Sequence, residues 1–246
     1  MNIPDLEAFV AVVETGSIVG ASARLNLPDG EVRGEFRLGV MPYLSEAALS
    51  VPLDRLRAEF PQLTLRVTSG WSVRLVDQVT RSELDAAALC LPDGISPPED
   101  LVGEDLGTQR VLLVAAPSLG VPKPASLAEL SRFPWIMNES GCGFRAYLRQ
   151  RFEAERLPFQ VAIEALSADL RMSLVARGLG IGILTPSAFA DSRWRDAVEV
   201  VEAVDFQPRV RAWMLHRPPA GRLAQPIAAF RDGLAQALAL PGPFLA

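Results

Sequence analysis

Hydrophobic residues recur along most of the chain in short runs with two different periods. Alternating or continuous apolar runs, which are typical of β-strands, occupy residues 36–41, 63–67 and 85–91. Residues 42–60 and 72–84 lie between them, and their apolar positions repeat every three or four residues, as on one face of a helix. This β-α-β-α-β series predicts a mostly parallel sheet with right-handed crossovers and with ligand loops at the carboxyl ends of its strands.

The same alternation repeats in the second half of the chain. Strands are predicted at residues 110–116, 135–137, 161–165, 180–184, 198–201 and 209–215, and helices at 127–132, 143–156, 169–177, 186–189 and 226–239. This second series predicts a second α/β unit, and the last helix returns to the first unit.

Two short amphipathic helices are predicted before the first strand. Asp5 can cap the first helix, and Gly16 is suited to end it. Ser17 can cap the second helix, which ends before Pro28 because proline disfavours a helical conformation in the preceding residue. Taken alone, residues 5–27 predict an ordinary helical hairpin whose apolar face packs on the sheet domain.

Composition narrows the classes of function. The chain has 246 residues, a net charge of −5 and a single histidine, His216. The acidic balance argues against a generally basic nucleic-acid coat, and one histidine excludes most His-based triads and multi-His metal sites. Cys90 and Cys142 are not spaced as a CxxC pair, so neither a disulfide scaffold nor a zinc site is predicted. Since no nucleophile–base pair or phosphate loop is found, we predict no cofactor, no metal and no enzyme activity.

The location of the protein is predicted from two absences in the sequence. The start of the chain has no basic segment followed by an apolar core, which a secretion signal requires. No uncharged apolar run reaches the roughly 20 residues that span a bilayer. The sequence therefore predicts a cytoplasmic protein without membrane contact.

Several motifs in this order resemble those of LysR-type transcriptional regulators. Residues 5–17, DLEAFVAVVETGS, and residues 21–25 resemble the first helix, the Gly-Ser corner and the scaffold helix of the family's helix-turn-helix. Residues 34–40, GEFRLGV, resemble the entry strand of its effector-binding domain, and residues 175–184, VARGLGIGIL, resemble that domain's helix–glycine–strand stretch. The resemblance implies an α/β fold, a two-lobed periplasmic-binding-protein-like effector domain preceded by a short remnant of a winged helix-turn-helix.

The join between these pieces departs from the family pattern. The family has a recognition helix, a wing and a long linker helix where this chain has only residues 28–34. Because a helix rises about 1.5 Å per residue, this interval cannot hold them. A helix-turn-helix reads bases through its second helix, and phosphate contacts need cations, whereas residues 5–24 are net acidic. We therefore expect a partial helix-turn-helix at 1–27 and a linker at 28–35, with DNA binding by this chain lost.

The resemblance also implies the lobes and the partners. Lobe I would comprise residues 36–114, lobe II residues 115–214, and residues 215–246 would return to lobe I, with crossovers near 113–117 and 212–216. A small-molecule effector would bind between the lobes, whose closure is a hinge motion. Effector domains of the family pair side by side and antiparallel, which implies a homodimer or a tetramer here. Operator DNA is a partner in the family but is not expected for this chain.

Two loops of lobe I would face the ligand. In residues 42–45, free N–H groups and the Ser45 hydroxyl can hold a carboxylate, or the loop can simply cap the following helix. Residues 69–72 form a similar strand-to-helix corner. There, Trp71 can stack on a ligand or only pack a lobe surface.

Two further groups of residues belong to lobe II. Glycines in residues 140–145 let backbone amides approach a ligand, and Arg145 can offer a carboxylate a charged fork or stay solvated at a flexible lobe edge. The last group consists of residues 167–169 and residues 184–186. The candidate ligand-binding residues of all four loops are Pro42, Tyr43, Leu44, Ser45, Ser69, Gly70, Trp71, Ser72, Ser140, Gly141, Gly143, Arg145 and Thr185.

The function that these features predict is a regulator module that senses a small, anionic metabolite. The alternative is the solute-binding protein of a transport system, which shares the two-lobed architecture. The missing secretion signal and the helix-turn-helix-like start argue against that alternative.

Overall fold

The computed structural model describes residues 9–14, 32–44, 51–92 and 94–239. The predicted second helix of the hairpin, the linker up to residue 31, and Ser45 lie outside the described residues. Residues 9–14 are helical, as predicted, and Ala11 is buried, but Phe9 and Val13 are 66% and 65% exposed. The prediction that this apolar face packs on the sheet domain is therefore wrong for Phe9 and Val13, whose side chains are exposed.

Among the described residues, five strands form the first sheet, in the order β2-β1-β3-β10-β4. They are β1 (Gly34–Val40), β2 (Leu63–Ser69), β3 (Ala86–Pro92), β4 (Val102–Arg110) and β10 (Arg209–His216). The first three run parallel, and β10 is antiparallel to both β3 and β4. The helices of this lobe are α1 (Val51–Glu59), α2 (Ser72–Thr80) and α7 (Ala224–Ala239). The last of these packs against α1 and β4.

Five shorter strands form the second sheet, in the order β7-β6-β8-β5-β9. They are β5 (Leu112–Ala115), β6 (Trp135–Met137), β7 (Val161–Glu164), β8 (Ile181–Leu184) and β9 (Glu199–Val201). Its helices are α3 (Leu127–Leu130), α4 (Gly143–Ala154), α5 (Ala168–Ala176) and α6 (Pro186–Ala190). Strand β6 lies parallel to β7 and β8, so the carboxyl ends of these three strands share one edge.

The two α/β units predicted from the alternation, and the two lobes that the resemblance implied, are confirmed. The chain passes from the first sheet to the second between Arg110 and Leu112, and it returns between Val201 and Arg209. These changes of sheet come a few residues before the crossovers expected near 113–117 and 212–216. One continuous cluster of buried side chains extends from the first lobe into the second, so the lobes are packed together in this structure.

Strand β4 was not predicted, because its sequence VGEDLGTQR is rich in charged and small residues. It forms since β10 supplies hydrogen-bond partners along its whole length, and such pairing overrides weak local propensity. The helix–glycine–strand stretch is confirmed. Gly178 has a φ of 74° just after α5, and a Cβ on Gly182 would lie 2.6 Å from Val175 Cγ2.

A pair of charged residues ties the start of β3 to β1. Asp85 accepts hydrogen bonds from the Arg37 backbone N–H at 2.8 Å and from its guanidinium at 2.7 and 3.2 Å. Burial raises the pKa of Asp85, but the bonds from Arg37 outweigh it and hold the pKa below its ordinary value. Along the part of the chain that the structure describes, no helix has the length and apolar character needed to span a membrane.

Candidate functional site

The loops at the carboxyl ends of both sheets meet at the junction of the lobes. The Asn138 side-chain amide, just after β6, donates to the Tyr43 hydroxyl, just after β1, at 2.6 Å. A Cβ on Gly141 would lie 3.7 Å from Trp71 Cβ, which shows how closely these two loops approach. The first three of the four predicted loops are therefore brought together in space.

The lobe I side of this junction is packed. Trp71 is only 6% exposed, and its ring lies edge-on to that of Tyr43 at 5.9 Å. The buried Ser72 hydroxyl donates to the Cys90 carbonyl at 2.7 Å, which holds the start of α2 on β3. Burial also raises the pKa of Tyr43, so its phenol keeps its proton at neutral pH and can act as a donor.

Two helices begin at this junction without a side-chain cap. The N-cap residues of α2 and α4, Trp71 and Cys142, make no side-chain cap hydrogen bond. A Cβ on Gly143, the first residue of α4, would lie 3.9 Å from the Ser72 Oγ at the start of α2. The first N–H groups of a helix lack intrahelical partners and carry partial positive charge. Two such helix starts next to each other favour an anion.

The other three helices of lobe II have side-chain caps. Ser126, Ser167 and Thr185 each accept a hydrogen bond from the backbone N–H three residues later, at the starts of α3, α5 and α6. Thr185, a predicted ligand-binding residue, thus has its hydroxyl engaged in a cap, with Ala188 as the donor at 3.2 Å. Helix α4 therefore differs from the other described helices of lobe II in that its first N–H groups have no side-chain cap.

The lobe II side of the junction contains buried polar side chains. Asn138 is fully buried, and its amide nitrogen also lies 3.3 Å from the Cys142 sulfur. Arg145 is 8% exposed, and its Nη1 donates both to the Asn138 carbonyl and to the Glu164 carboxylate. Arg145, which was predicted to bind a ligand carboxylate, is therefore already paired within lobe II.

Arg171, on α5, was missed by the sequence analysis. It is 3% exposed, and its Nη1 donates to the Ala165 and Leu166 carbonyls at 2.9 and 2.7 Å. No carboxylate of the described residues lies within 4.0 Å of its guanidinium. Burial lowers the pKa of Arg171, while the neighbouring Tyr43 and Cys142 act in the opposite sense. The sequence contained a signal for Arg171. It lies four residues before Val175 and so on the same face of the helix, which is the face that packs on the core.

Several predicted residues of these loops do not belong to the buried polar cluster. Pro42, Ser69 and Ser140 are exposed, and Leu44 is buried in the core. Gly70 donates its N–H to the Val40 carbonyl at 3.3 Å and so belongs to the strand-to-helix corner.

A separate pocket of about 440 Å³ lies between α5 and α6. It is lined by Ala168, Asp169, Met172, Ala188, Asp191, Ser192 and Arg193. Ala168 and Asp169 belong to the fourth predicted group, but none of the individual candidate ligand-binding residues lines this pocket. Asp169 also pairs with Arg193 at 2.9 Å. No described His, Cys, Asp or Glu residues gather in threes as metal ligands would. The lobe junction remains the better candidate site.

Similarity to known proteins gives a second line of evidence besides the geometry of the lobe junction. Residues 29–239 match the family model described as LysR substrate binding domain. The chain is similar to the HTH-type transcriptional regulator YeiE of Escherichia coli strain K12, with 23% identity over 188 residues. This alignment covers 76% of the chain but 63% of YeiE, so the chain spans less than two thirds of that relative's length.

Two solved structures illustrate the likeness in fold. The Synechocystis PCC6803 CcmR regulatory domain in complex with 2-PG aligns with a TM-score of 0.69 and 18% identity, over 85% of this chain and 99% of that one. The effector binding domain of QuiR in complex with shikimate aligns with a TM-score of 0.65 and 13% identity, over 84% of this chain and 98% of that one. At such identities the likeness establishes the fold alone.

Proposed function

Because this chain belongs to the LysR family through its substrate binding domain, we propose that it is the sensing part of a LysR-type transcriptional regulator. A small, anionic metabolite binds between its lobes. The observation that carries this proposal is that the starts of α2 and α4 lie next to each other and that neither has a side-chain cap. The relatives named as transcriptional regulators support a cytoplasmic regulator rather than an enzyme.

Ligand binding at the junction would couple to lobe closure. Tyr43 of lobe I and Asn138 of lobe II already share a hydrogen bond, so a ligand beside them touches both lobes. The hinge would lie where the chain changes sheet, between Arg110 and Leu112 and between Val201 and Arg209. A ligand that binds the closed arrangement better than an open one shifts the population towards closure.

A thermal-shift screen of the purified chain against a metabolite library tests this function. Binding to the folded state raises the unfolding temperature in proportion to occupancy. We expect the metabolites that raise it to be anions, and calorimetry should give one site per chain. A library without any stabilising metabolite would contradict the proposed function.

Pairing of two effector domains is part of the same proposal. Strands β2 and β7 are edge strands of the two sheets, and exposed apolar side chains lie beside both. Val67 and Val73 are 42% and 67% exposed in lobe I, and Leu166 and Leu170 are 65% and 48% exposed in lobe II. An antiparallel pair would place lobe I of one copy on lobe II of the other and cover both patches.

Sedimentation of a Leu170→Glu variant tests this pairing. We expect the variant to sediment as a monomer where the wild-type chain sediments as a dimer, because a carboxylate would be buried at the interface. Val200→Glu, at the opposite edge of the second sheet, is the matched control and should leave the dimer intact. A monomeric wild-type chain would contradict this part of the proposal.

We also propose that this chain alone does not bind operator DNA. The support is the length of residues 28–34, which leaves no room for a recognition helix before β1. A gel-shift titration of the purified chain against the promoter of the gene next to its own should show no sequence-specific complex. A specific, salt-insensitive shift at nanomolar protein would overturn this expectation.

A further inference from the structure

Unpartnered polar atoms gather at the carboxyl edge of the second sheet. Nine buried side-chain nitrogen or oxygen atoms of the described residues have no hydrogen-bond partner, and three of them belong to Asn138, Arg145 and Arg171. They are Asn138 Oδ1, Arg145 Nε and Arg171 Nε. Buried polar groups are nearly always hydrogen-bonded, because an unmade bond is costly there. Three such atoms at one edge therefore indicate a missing partner.

Backbone hydrogen bonds place these three side chains together. The Ala165 N–H donates to the Met137 carbonyl at 2.9 Å, which joins the segment after β7 to the end of β6. Arg171 donates to the Ala165 carbonyl, and Arg145 donates to the carbonyl of Asn138, the residue that follows Met137. The two guanidinium groups thus flank the ends of two neighbouring strands, and Asn138 lies at the same edge.

The charges at this edge do not balance. Arg145 is paired with Glu164, whose side chain is 48% exposed. Arg171 has only backbone carbonyls as partners among the described residues, so one buried positive charge is left without a carboxylate. A carboxylate group of a ligand would supply both the missing charge and an acceptor for Nε.

The Asn138 amide requires a second kind of ligand group. As placed, its nitrogen donates to Tyr43 and its oxygen lacks a donor. If the amide is turned by 180°, the oxygen accepts from the Tyr43 hydroxyl and the nitrogen lacks an acceptor. A hydroxyl group both donates and accepts, so it satisfies Asn138 in either orientation.

We propose that Arg171 and Asn138 select a small hydroxylated carboxylate as the effector. Arg171 Nε donates to the carboxylate, and the free atom of the Asn138 amide bonds the hydroxyl group. This inference rests on the proposed function, since it specifies the ligand of the same junction. It also assigns Arg171, rather than Arg145, as the residue that holds the anion.

Calorimetry with matched pairs of acids tests the inference on the full chain. The pairs are malate against succinate, lactate against propionate, and mandelate against phenylacetate, which differ by one hydroxyl group. We expect the hydroxy acid of at least one pair to bind ten times or more tightly than its partner. Asn138→Ala should abolish that preference, and Arg171→Gln should weaken both acids at least tenfold.

Two further variants keep the test decisive. Arg177→Gln changes an exposed arginine at the end of the same helix and should leave affinity unchanged. Arg171→Lys keeps the positive charge but lacks Nε, so it should still bind the acids more weakly than wild type. It serves in place of Arg171→Gln if that variant does not fold by circular dichroism.

The outcomes separate this inference from the proposed function. Equal affinity for hydroxy and deoxy acids, or wild-type affinity in a folded Arg171→Gln variant, would overturn the inference. Library ligands that are neutral or cationic would overturn it together with the anionic nature of the proposed ligand, although ligand sensing itself would stand. Only a library without any ligand would remove ligand sensing as well.

Discussion

At the cleft, the Tyr43 and Ser72 hydroxyls of the first lobe are hydrogen-bonded within the protein, whereas three polar side chains of the second lobe each keep one buried atom without a partner in the described part of the chain. The Ser72 hydroxyl is bonded to the Cys90 carbonyl, and the Cys90 N–H lies 3.2 Å from the Met41 sulfur. Across the cleft, Asn138 and Arg171 each keep one buried atom without a partner among the described residues. The cleft side chains of the first lobe therefore already have their hydrogen bonds, whereas those of the second lobe would gain the missing bonds from a ligand.

This difference predicts that the first-lobe side of the cleft contributes mainly to the stability of the free protein, and the second-lobe side mainly to ligand recognition. A surface whose bonds are all made contributes to the stability of the free protein, and changes there should lower that stability. A surface with unmade bonds costs free energy until a ligand arrives, so changes there should affect binding more than stability. Measurements of unfolding in the free protein can therefore tell the two halves of the cleft apart.

The largest effect is expected for Trp71→Ala in the first lobe. Trp71 is 6% exposed and packs edge-on against Tyr43, so its removal leaves a cavity in a packed corner. We expect the free energy of unfolding to fall by about 3 kcal/mol, measured by urea denaturation. Val73→Ala, two residues later and 67% exposed, is the control and should change it by less than about 0.5 kcal/mol.

A different result would assign Trp71 to the ligand instead. If Trp71→Ala unfolded like the wild-type chain but bound anions more weakly, its ring would be stacking on the ligand. The first lobe would then contribute to ligand binding as the second does, and the proposed difference between the lobes would be wrong.

A smaller effect is expected for Asp85→Asn, which breaks a matched pair in the first lobe. The variant loses the charged partner of Arg37 and should be destabilised by about 2 kcal/mol at pH 7. The bonds from Arg37 outweigh burial and hold the pKa of Asp85 below its ordinary value of 3.8. Its stabilising contribution is therefore complete above that value and is lost as the pH falls through the lowered pKa.

Urea unfolding at several pH values checks this sign. The difference between wild type and Asp85→Asn should be constant from pH 5 to pH 7 and should shrink below about pH 4. Glu83→Gln, two residues earlier, changes an exposed carboxylate and is the control. A difference that grows on acidification would contradict the assigned role of Arg37.

The fold could be predicted from the sequence because its signals are local. Hydrophobic periodicity marked every strand of the second sheet, as well as β1, β2, β3 and β10, within a few residues. Strand β4 was missed because its stability comes from pairing with β10, about a hundred residues later in the chain. The glycine pattern after α5 was interpretable because a C-cap glycine has a local backbone requirement.

The site could be predicted only in part. The loops were recognisable, because they follow strands at a shared edge. The partners of the charged side chains were not, because they join distant positions: Arg145 pairs with Glu164, and Arg171 reaches back to the end of β7. Asn138 was also missed, although a polar residue directly after the buried strand β6 is a usable signal.

The smallest effect on stability is expected for Arg171→Met in the second lobe. The change removes a buried, unpaired charge, which favours folding, but it also leaves the Ala165 and Leu166 carbonyls without their donor. These effects oppose each other, so the free energy of unfolding of the free protein should change by less than about 1 kcal/mol. Arg145→Met is the matched variant. It should be the more destabilising of the two, because it breaks an existing ion pair with Glu164. Urea denaturation without ligand measures both, and the reverse order would show that Arg171 is a structural residue whose charge the second lobe already balances.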